Sequence, residues 1–290
     1  MTVSVFAPAK INLTLHVTGR RSDGYHELDS LVVFAPIGDS LRIRKSNTMS
    51  LTVSGPEASG VPTDASNLAL RAAELAGAGQ PVEILLEKNL PTASGIGGGS
   101  ADAAAAWRGM EQLCGAKRAL SGKSKMLAIG VDVPMCYLSR PMRARGVGEI
   151  LTEINLPPLS ALLVNPRVPV ATPAVFGALM TSSISPMREA IPSFATTRDL
   201  IDWLVRCRND LEVPATTIAP VVTEVLNFLS SLEGSRLARM SGSGASCFAL
   251  FDDLNAAKKV EAAAKTAHPN WWVKACQLGD MSQMSRPVAI

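Results

Sequence analysis

The chain has little of what most often announces a function. Aromatic residues are 4% of the total, with two tyrosines, and three histidines lie far apart. Its five cysteines, Cys114, Cys136, Cys207, Cys247 and Cys276, are odd in number and widely spaced. No Cys-x-x-Cys pair or Cys/His cluster has metal-ligand spacing, so no metal site is expected and the thiols read as reduced core residues. Charge of one sign is also scarce. Lysine plus arginine number 28 against 25 acids, and no basic block suggests nucleic acid or an anionic membrane as a partner. No apolar run reaches membrane-spanning length, and the amino terminus enters Val3, Val5 and Phe6 without a charged leader or cleavage site. A cytoplasmic location is expected. Absent too is any Gly-x-x-x-x-Gly-Lys-Ser/Thr stretch, and no acid stands at the spacing a dinucleotide fold uses. What remains is a globular chain of 290 residues, 47% hydrophobic, long enough for one large core or two lobes.

Against that background, residues 90 to 107 stand out. Gly95, Gly97, Gly98 and Gly99, interrupted by Ile96 alone, remove the Cβ atoms that keep a backbone away from a ligand. Ser100 is placed to cap a helix, Asp102 suits its first turn, and the alanines through Ala106 favour helix strongly. A flexible loop emptying into a helix N-terminus offers free N–H groups and the positive end of the helix dipole, an arrangement suited to phosphate. The same residues also suit a plain tight connection. Without a lysine in the loop, counter-charges for a phosphate must come from elsewhere.

Earlier in the chain, residues 10 to 17 alternate as a half-buried strand, with Ile11, Leu13, Leu15 and Val17 inward and Lys10, Asn12, Thr14 and His16 opposite. Lys10 and Asn12, about 7 Å apart at two strand steps, either reach one phosphate together or belong to a solvated face. Tyr25 and His26 end a turn-rich loop, placed to clamp a flat base or simply to pack. Strands are expected at 30–34, 40–44, 50–53 and 82–86, and a helix at 66–76. Residues 117 to 125 read as a solvated connection. Asp132, between valines, is paired, functional, or the cap of a helix beginning at Pro134. A boundary is expected near Leu156-Pro157-Pro158, dividing the chain into lobes 1–157 and 158–290. Beyond it come a strand at 161–165, a helix start at Thr172-Pro173, an irregular stretch at 184–197, and helices at 197–207 and 218–232. A second glycine/serine loop, Ser241-Gly242-Ser243-Gly244-Ala245, runs into an apolar strand, either approaching a ligand or forming a hairpin-like turn. A helix at 254–267 and a strand at 271–273 complete an α/β sandwich lobe.

Pro8-Ala9-Lys10-Ile11-Asn12, Gly24-Tyr25-His26, the loop from Pro91 to Ser100, Gly130-Val131-Asp132-Val133-Pro134 and Ser241 to Ala245 resemble, in order and at compatible spacing, the motifs of the GHMP kinase superfamily. The likeness spans nearly the full length. It implies an α+β, two-lobed fold: an N-terminal lobe like ribosomal protein S5 domain 2 and a ferredoxin-like C-terminal lobe. It implies ATP, as its magnesium complex, for phosphoryl transfer to a small-molecule alcohol. The first two motifs together resemble the members whose acceptor is a cytidine diphosphate-linked polyol. Homoserine- or mevalonate-type kinases, and a non-catalytic nucleotide-binding protein on the same scaffold, are the alternatives.

Carried over by this resemblance, Asp132 takes the acceptor's proton while Lys10 lowers the hydroxyl's pKa and stabilises the transferring phosphoryl group. Pro91, Ser94, Gly95, Ile96, Gly97, Gly98, Gly99 and Ser100 hold the ATP phosphates. Asn12 orients the acceptor, Tyr25, His26 and Phe176 hold the base, and Ser241, Gly242, Ser243 and Gly244 close the site beside the acceptor's phosphates. Few direct protein ligands to magnesium are implied, and a monomer or weak homodimer. Two positions depart from the usual loop: Ile96 replaces leucine, and Ala101 replaces a second serine, leaving Ser100 as the one hydroxyl at the helix start.

Overall fold

A computed structural model describes residues 1–115, 119–179, 185–188 and 190–290. The chain opens with β1 (Thr2–Asn12) and β2 (His16–Arg20), then β3 (His26–Lys45), which runs straight through the two strands expected at 30–34 and 40–44. The turn residue Gly38 does not end it, because Gly38 lies in register with Pro8 where β1 and β3 press together; a Cβ there would sit 2.1 Å from the Ala7 carbonyl oxygen. β4 (Ser50–Ser54), α1 (Leu68–Gly77) and β5 (Val82–Glu87) follow. Then come α2 (Gly98–Cys114), α3 (Ala119–Ile129), α4 (Val133–Leu138), β6 (Met142–Gly146) and β7 (Ile150–Glu153). The stretch expected to be an irregular connection is therefore helical from Ala119 onward, held by buried Met126 and Ile129, while Lys117 lies outside the described residues.

The second half comprises β8 (Leu159–Asn165), α5 (Thr172–Gly177), α6 (Thr197–Leu204), α7 (Glu212–Ile218), α8 (Val221–Ser231), β9 (Leu237–Met240), β10 (Cys247–Phe251), α9 (Leu254–Ala267), β11 (Trp272–Leu278) and β12 (Val288–Ala289). The helix expected at 218–232 is α8, which starts at Val221; Ile218 instead ends α7, a helix not expected. Pro220 has no N–H to continue α7 and instead stands at the N-cap of α8. In the stretch expected to be irregular, Ile184 and Glu189 lie outside the described residues; residues 185–188 and 190–196 contain neither helix nor strand.

Two sheets result. The first has the order β12-β1-β3-β5-β4, with β2 and β6 paired to the leading half of β3 and β7 beyond β6. One face carries α1, α2 and α4. All of Ala101 and Ala103 to Ala106 are buried there, since small side chains let α2 approach both α1 and β1 closely. The second sheet is wholly antiparallel in the order β11-β8-β10-β9. Its connectivity is strand, helices, strand, strand, helix, strand, with the first strand between the third and the last, which is the ferredoxin-like arrangement. The sheets meet through one apolar cluster that joins Ile11, Leu13 and Leu31 to Leu163, Phe248 and Leu250. Burying both faces of β8 in this way explains why it reads as a continuous apolar run.

Two expectations about exposure change. The polar face of residues 10–17 is not solvated: Lys10, Asn12, Thr14 and His16 are 6%, 5%, 0% and 4% exposed. The second half of the chain covers it. The Asn12 N–H donates to Ser241 Oγ at 3.1 Å, the Thr14 hydroxyl donates to Met187 Sδ at 3.1 Å, and the Arg208 N–H donates to His16 Nε2 at 3.3 Å. Regular pairing also stops after Asn12 and resumes at His16. Of the cysteines, all free, Cys136, Cys247 and Cys276 are buried, Cys207 is half-buried and Cys114 is exposed at the last residue of α2.

Candidate active site

The glycine loop does end in a helix, but three residues earlier than a cap at Ser100 suggests. Gly97, at φ +69°, occupies the N-cap position, and the first helical bond runs from the Ala101 N–H to the Gly97 carbonyl at 2.8 Å. A positive φ is open to glycine at little steric cost, so the turn closes at Gly97 and Ser100 falls inside the first turn without capping it. The N–H groups of Gly98, Gly99 and Ser100 then have no intrahelical acceptor, and all three residues line a cleft of about 1090 Å3.

The second glycine/serine loop braces the first. A Cβ on Gly95 would lie 2.5 Å from the Ser241 carbonyl oxygen and 2.7 Å from that of Gly244, so two backbones touch where only glycine fits. Ser241 Oγ donates to the Gly95 carbonyl at 3.1 Å, and the Ser246 N–H donates to the Ser94 carbonyl at 3.0 Å. Only part of this loop therefore faces the cleft. Gly242 and Ser243 line it, whereas Ser241 and Gly244 do not, being turned into the brace. Ile96 also departs from expectation: its side chain is fully buried in the cluster between the sheets, and its carbonyl accepts the Lys10 N–H at 2.9 Å. Pro91, Ser94, Gly95, Gly97, Gly98, Gly99 and Ser100 line the cleft.

Lys10 and Asp132, 122 positions apart, meet there. Lys10 Nζ donates to Asp132 Oδ2 at 2.8 Å, with the lysine side chain 8% exposed and the aspartate 32%. The register shift between Pro8 and Lys10 in β1 and the backbone at Gly97 set the lysine stem, which a Cβ on Gly97 would approach to 3.2 Å. Asp132 stands at the N-cap of α4 but makes no capping bond, so its carboxylate is left for the lysine and the cleft. Asn12 lies two strand steps beyond, its Nδ2 donating to Ser30 Oγ at 2.8 Å and its Oδ1 buried without a partner.

At another part of the cleft wall, His26 and Phe176 stack at a centroid distance of 5.1 Å and an interplanar angle of 23°. Burial, then the nearby Arg20 charge, lowers the His26 pKa below its usual value, favouring the neutral ring. Tyr25 lines the cleft too but is 62% exposed and outside the ring pair. Thr172, expected to cap α5, is instead its first residue; Thr172 Oγ1 and Ser243 Oγ share a 2.7 Å hydrogen bond.

Sequence reasoning passed over a buried triad under the loop. Lys88 Nζ donates to Asp39 Oδ2 at 2.5 Å and to Asp102 Oδ2 at 2.7 Å, and a Cβ on Gly98 would lie 3.5 Å from the ammonium. The loop lacks its own lysine, yet one sits directly beneath its helix. Asp102 was noticed only as a first-turn acid; its partners, 14 and 63 residues away, carry no local signal. Burial is the main cause that pushes the Asp102 carboxyl up to about 8, with Lys88 opposing and Asp39 adding to the rise. Asp102 Oδ1 is buried without a partner, and the residue lines the cleft. Among the described residues, no group of three His, Cys, Asp or Glu side chains is placed to hold a metal ion, and no helix is long and apolar enough to cross a membrane.

What this arrangement can do is bind a chain of phosphates on free backbone donors and present a lysine–carboxylate pair to a hydroxyl. Residues 67–140 match the GHMP kinases N terminal domain and residues 176–270 the GHMP kinases C terminal. The chain is similar to a 4-diphosphocytidyl-2-C-methyl-D-erythritol kinase of Roseobacter denitrificans, 46% identical over 98% of this chain and 96% of that one. It is likewise 52% identical to the kinase of that name from Dinoroseobacter shibae, over 93% of each. Among solved structures, a 4-(cytidine 5'-diphospho)-2C-methyl-D-erythritol kinase superposes with a TM-score of 0.75 at 35% identity, over 95% of this chain and 99% of that one. A homoserine kinase from Cytophaga hutchinsonii shares the fold at 21% identity, with a TM-score of 0.68 over 100% and 97% of the two chains. The chain belongs to the GHMP kinases and, within them, to the family of the 4-diphosphocytidyl-2-C-methyl-D-erythritol kinases.

Proposed function

We propose that this chain transfers the γ-phosphoryl group of ATP to the 2-hydroxyl of 4-diphosphocytidyl-2-C-methyl-D-erythritol, releasing ADP and the 2-phosphate, a step in making isoprenoid precursors. The observation that carries the chemistry is the 2.8 Å Lys10–Asp132 pair beside the open N-terminus of α2. Asp132 accepts the proton of the attacking hydroxyl, and Lys10 stabilises the oxygen anion that develops and the phosphoryl group in transit. Gly95, Gly97 to Gly99 and Ser100 hold the ATP phosphates through backbone N–H groups, with Pro91 and Ser94 shaping the loop. Asn12 orients the acceptor; Ser241 and Gly244 act by bracing, Gly242 and Ser243 by contact.

The base end of the substrate falls to His26 and Phe176, with Tyr25 at the rim. A ring inserted between two others needs about 7 Å, twice an ordinary contact distance, and the pair stands at 5.1 Å. Cytosine therefore stacks on an outer face of the pair or parts the two rings. Magnesium arrives as the ATP complex and neutralises phosphate charge when bound. The Asp132 carboxylate, part-exposed in the cleft wall, would fit such a hydrated ion. The two lobes divide at 157/158, a reading supported by the four-stranded sheet lying wholly after that point, although β12 returns to pair with β1. We place the enzyme in the cytoplasm, where its free cysteines stay reduced, as a monomer or weak homodimer.

The test is a coupled ADP-release assay with magnesium-ATP, comparing the cytidyl methylerythritol diphosphate with homoserine, mevalonate and no acceptor. Release that depends on the cytidyl substrate alone is expected. Release with another acceptor only would leave the Lys10/Asp132 chemistry and discard the base site, and no release with any would favour a nucleotide-binding protein.

A further inference from the structure

Among the described residues, four buried side-chain atoms lack a hydrogen-bond partner: Asn12 Oδ1, Asp102 Oδ1, Arg108 Nε and Arg140 Nε. They sort by place. The two acceptors belong to the cleft already described, and the two donors belong to residues lining a second cavity of about 550 Å3, which shares no lining residue with the first. Arg108 lies 10 residues along α2 from Gly98, so at 1.5 Å per residue the second cavity is about 15 Å from the phosphate loop.

Its walls come from α2, from the end of α4 and the residues after it, and from the C-terminal strap that carries Ser285 and Arg286. The strap is tied on both sides. Met281 N–H donates to the Ser139 carbonyl at 2.8 Å, and Ile290 N–H donates to that of Thr2 at 2.9 Å.

Charge is unevenly matched here. Arg108 is 7% exposed, and its other donors go to the carbonyls of Phe6, Cys136 and Tyr137, which carry no charge. Burial draws its pKa down to about 10, against the opposing charge of Glu111 three residues along α2. Arg140 Nη1 pairs with Glu153 at 2.9 Å in a half-exposed contact. Arg286 lines the same cavity. The one carboxylate in the wall, Glu111, is already occupied, Oε1 by the Trp107 indole N–H at 3.0 Å and Oε2 by the Tyr137 hydroxyl at 2.7 Å. Among the described residues the wall therefore carries three arginines and one acid, with Arg140 also paired to Glu153 outside it.

The geometry points to a second binding site in this cavity, formed by Arg108, Arg140 and Arg286, for a small anion of the diphosphate type. Guanidinium forks match phosphate oxygens two at a time, and three arginines around one carboxylate leave a surplus of positive charge at this wall. The anion is either free diphosphate or the phosphate end of a nucleotide. Ser285 adds a hydroxyl to the wall.

Isothermal titration of the full chain with inorganic diphosphate, and separately with ADP, tests this. The variants are the double substitution Arg140→Gln/Arg286→Gln, a charge-matched control Arg198→Gln/Arg206→Gln at exposed positions, and Lys10→Ala. The expected result is a diphosphate-binding event weakened at least 10-fold in the first variant and retained in the other two. Loss of that event with both titrants identifies nucleotide phosphate as the source, and loss with diphosphate alone identifies the free anion; both support the site. Equal binding by wild type and the Arg140/Arg286 variant, or equal loss in the control, overturns it. A crystal soaked in tungstate gives an independent reading: an anomalous peak between Arg108 and Arg286 is expected, and a peak in the phosphate cleft alone refutes the proposal.

Discussion

Replacing Asp102 by asparagine is expected to stabilise the fold, by an amount that grows with pH. Asp39, Lys88 and Asp102 are each no more than 5% exposed in their side chains, and two carboxylates share one ammonium. If all three ionise, a net negative charge is left in the core. Burial resolves this by raising the Asp102 carboxyl from 3.8 to about 8, so at neutral pH it keeps a proton that the unfolded chain releases. A carboxyl whose folded pKa lies above its unfolded one contributes in full below pH 3.8 and loses its contribution as pH rises toward about 8. The slope is about 1.4 kcal/mol per pH unit, or about 3 kcal/mol between pH 5 and 7; relaxation and a higher effective dielectric reduce this to roughly half. Asparagine resembles the protonated acid in shape and does not titrate. Urea unfolding of both proteins at pH 5, 6 and 7 should show the variant's advantage growing by about 1.5 to 3 kcal/mol across that range. A difference that stays constant with pH would mean Asp102 is ionised in the fold, and the account of the triad would fail.

Further outcomes follow from the same geometry. Lys88→Met, which leaves the buried Asp39 carboxylate without a cation, should cost about 3–5 kcal/mol in the same unfolding experiment, and a loss below 1 kcal/mol would contradict the triad's burial. Asp132→Ala should lower kcat by about 10²- to 10⁴-fold with an unchanged melting temperature, measured by coupled ADP release and scanning calorimetry; near-normal turnover removes Asp132 from the mechanism. Gly95→Ala combines a φ of +73° with a Cβ 2.5 Å from the Ser241 carbonyl, so thermal melting should fall and ATP affinity with it. His26→Ala should weaken the cytidyl substrate by roughly 5- to 10-fold, in line with loss of one stacking contact, while sparing ATP; equal loss of both ligands argues against a base site at His26 and Phe176.

Where the sequence carried the answer, the signal was local. The Asp253-capped helix α9 and the apolar strand β8 are set by near-neighbour propensity and periodicity, and they stand close to their expected bounds. Lys10, Asp132, the glycine loop and His26 were legible because each sits in a short motif. Helix starts were less so. A residue such as Thr172 or Ser100 has the chemistry of a cap, but the backbone turn at Ala171 or Gly97 decides where the helix begins.

What lay beyond reading was every relation between distant segments. Whether the polar face at residues 10–17 met water depended on residues 187, 208 and 241 covering it. Ser241 and Gly244 differ from Gly242 and Ser243 only in which way the braced loop turns them. Lys88 acquired its role from Asp39 and Asp102, and Arg108, Arg140 and Arg286 acquired theirs from a strap that folds back across the molecule. Short motifs and their likeness to a known family pointed to the two-lobed fold, to a glycine loop opening a helix and to Lys10 and Asp132 as candidates for the reacting pair, because such signals rest on local backbone preference and side-chain chemistry. Which polar groups are stripped of water, and which then find a partner, was decided by tertiary structure alone, since desolvation is a property of what packs against a group and not of the group.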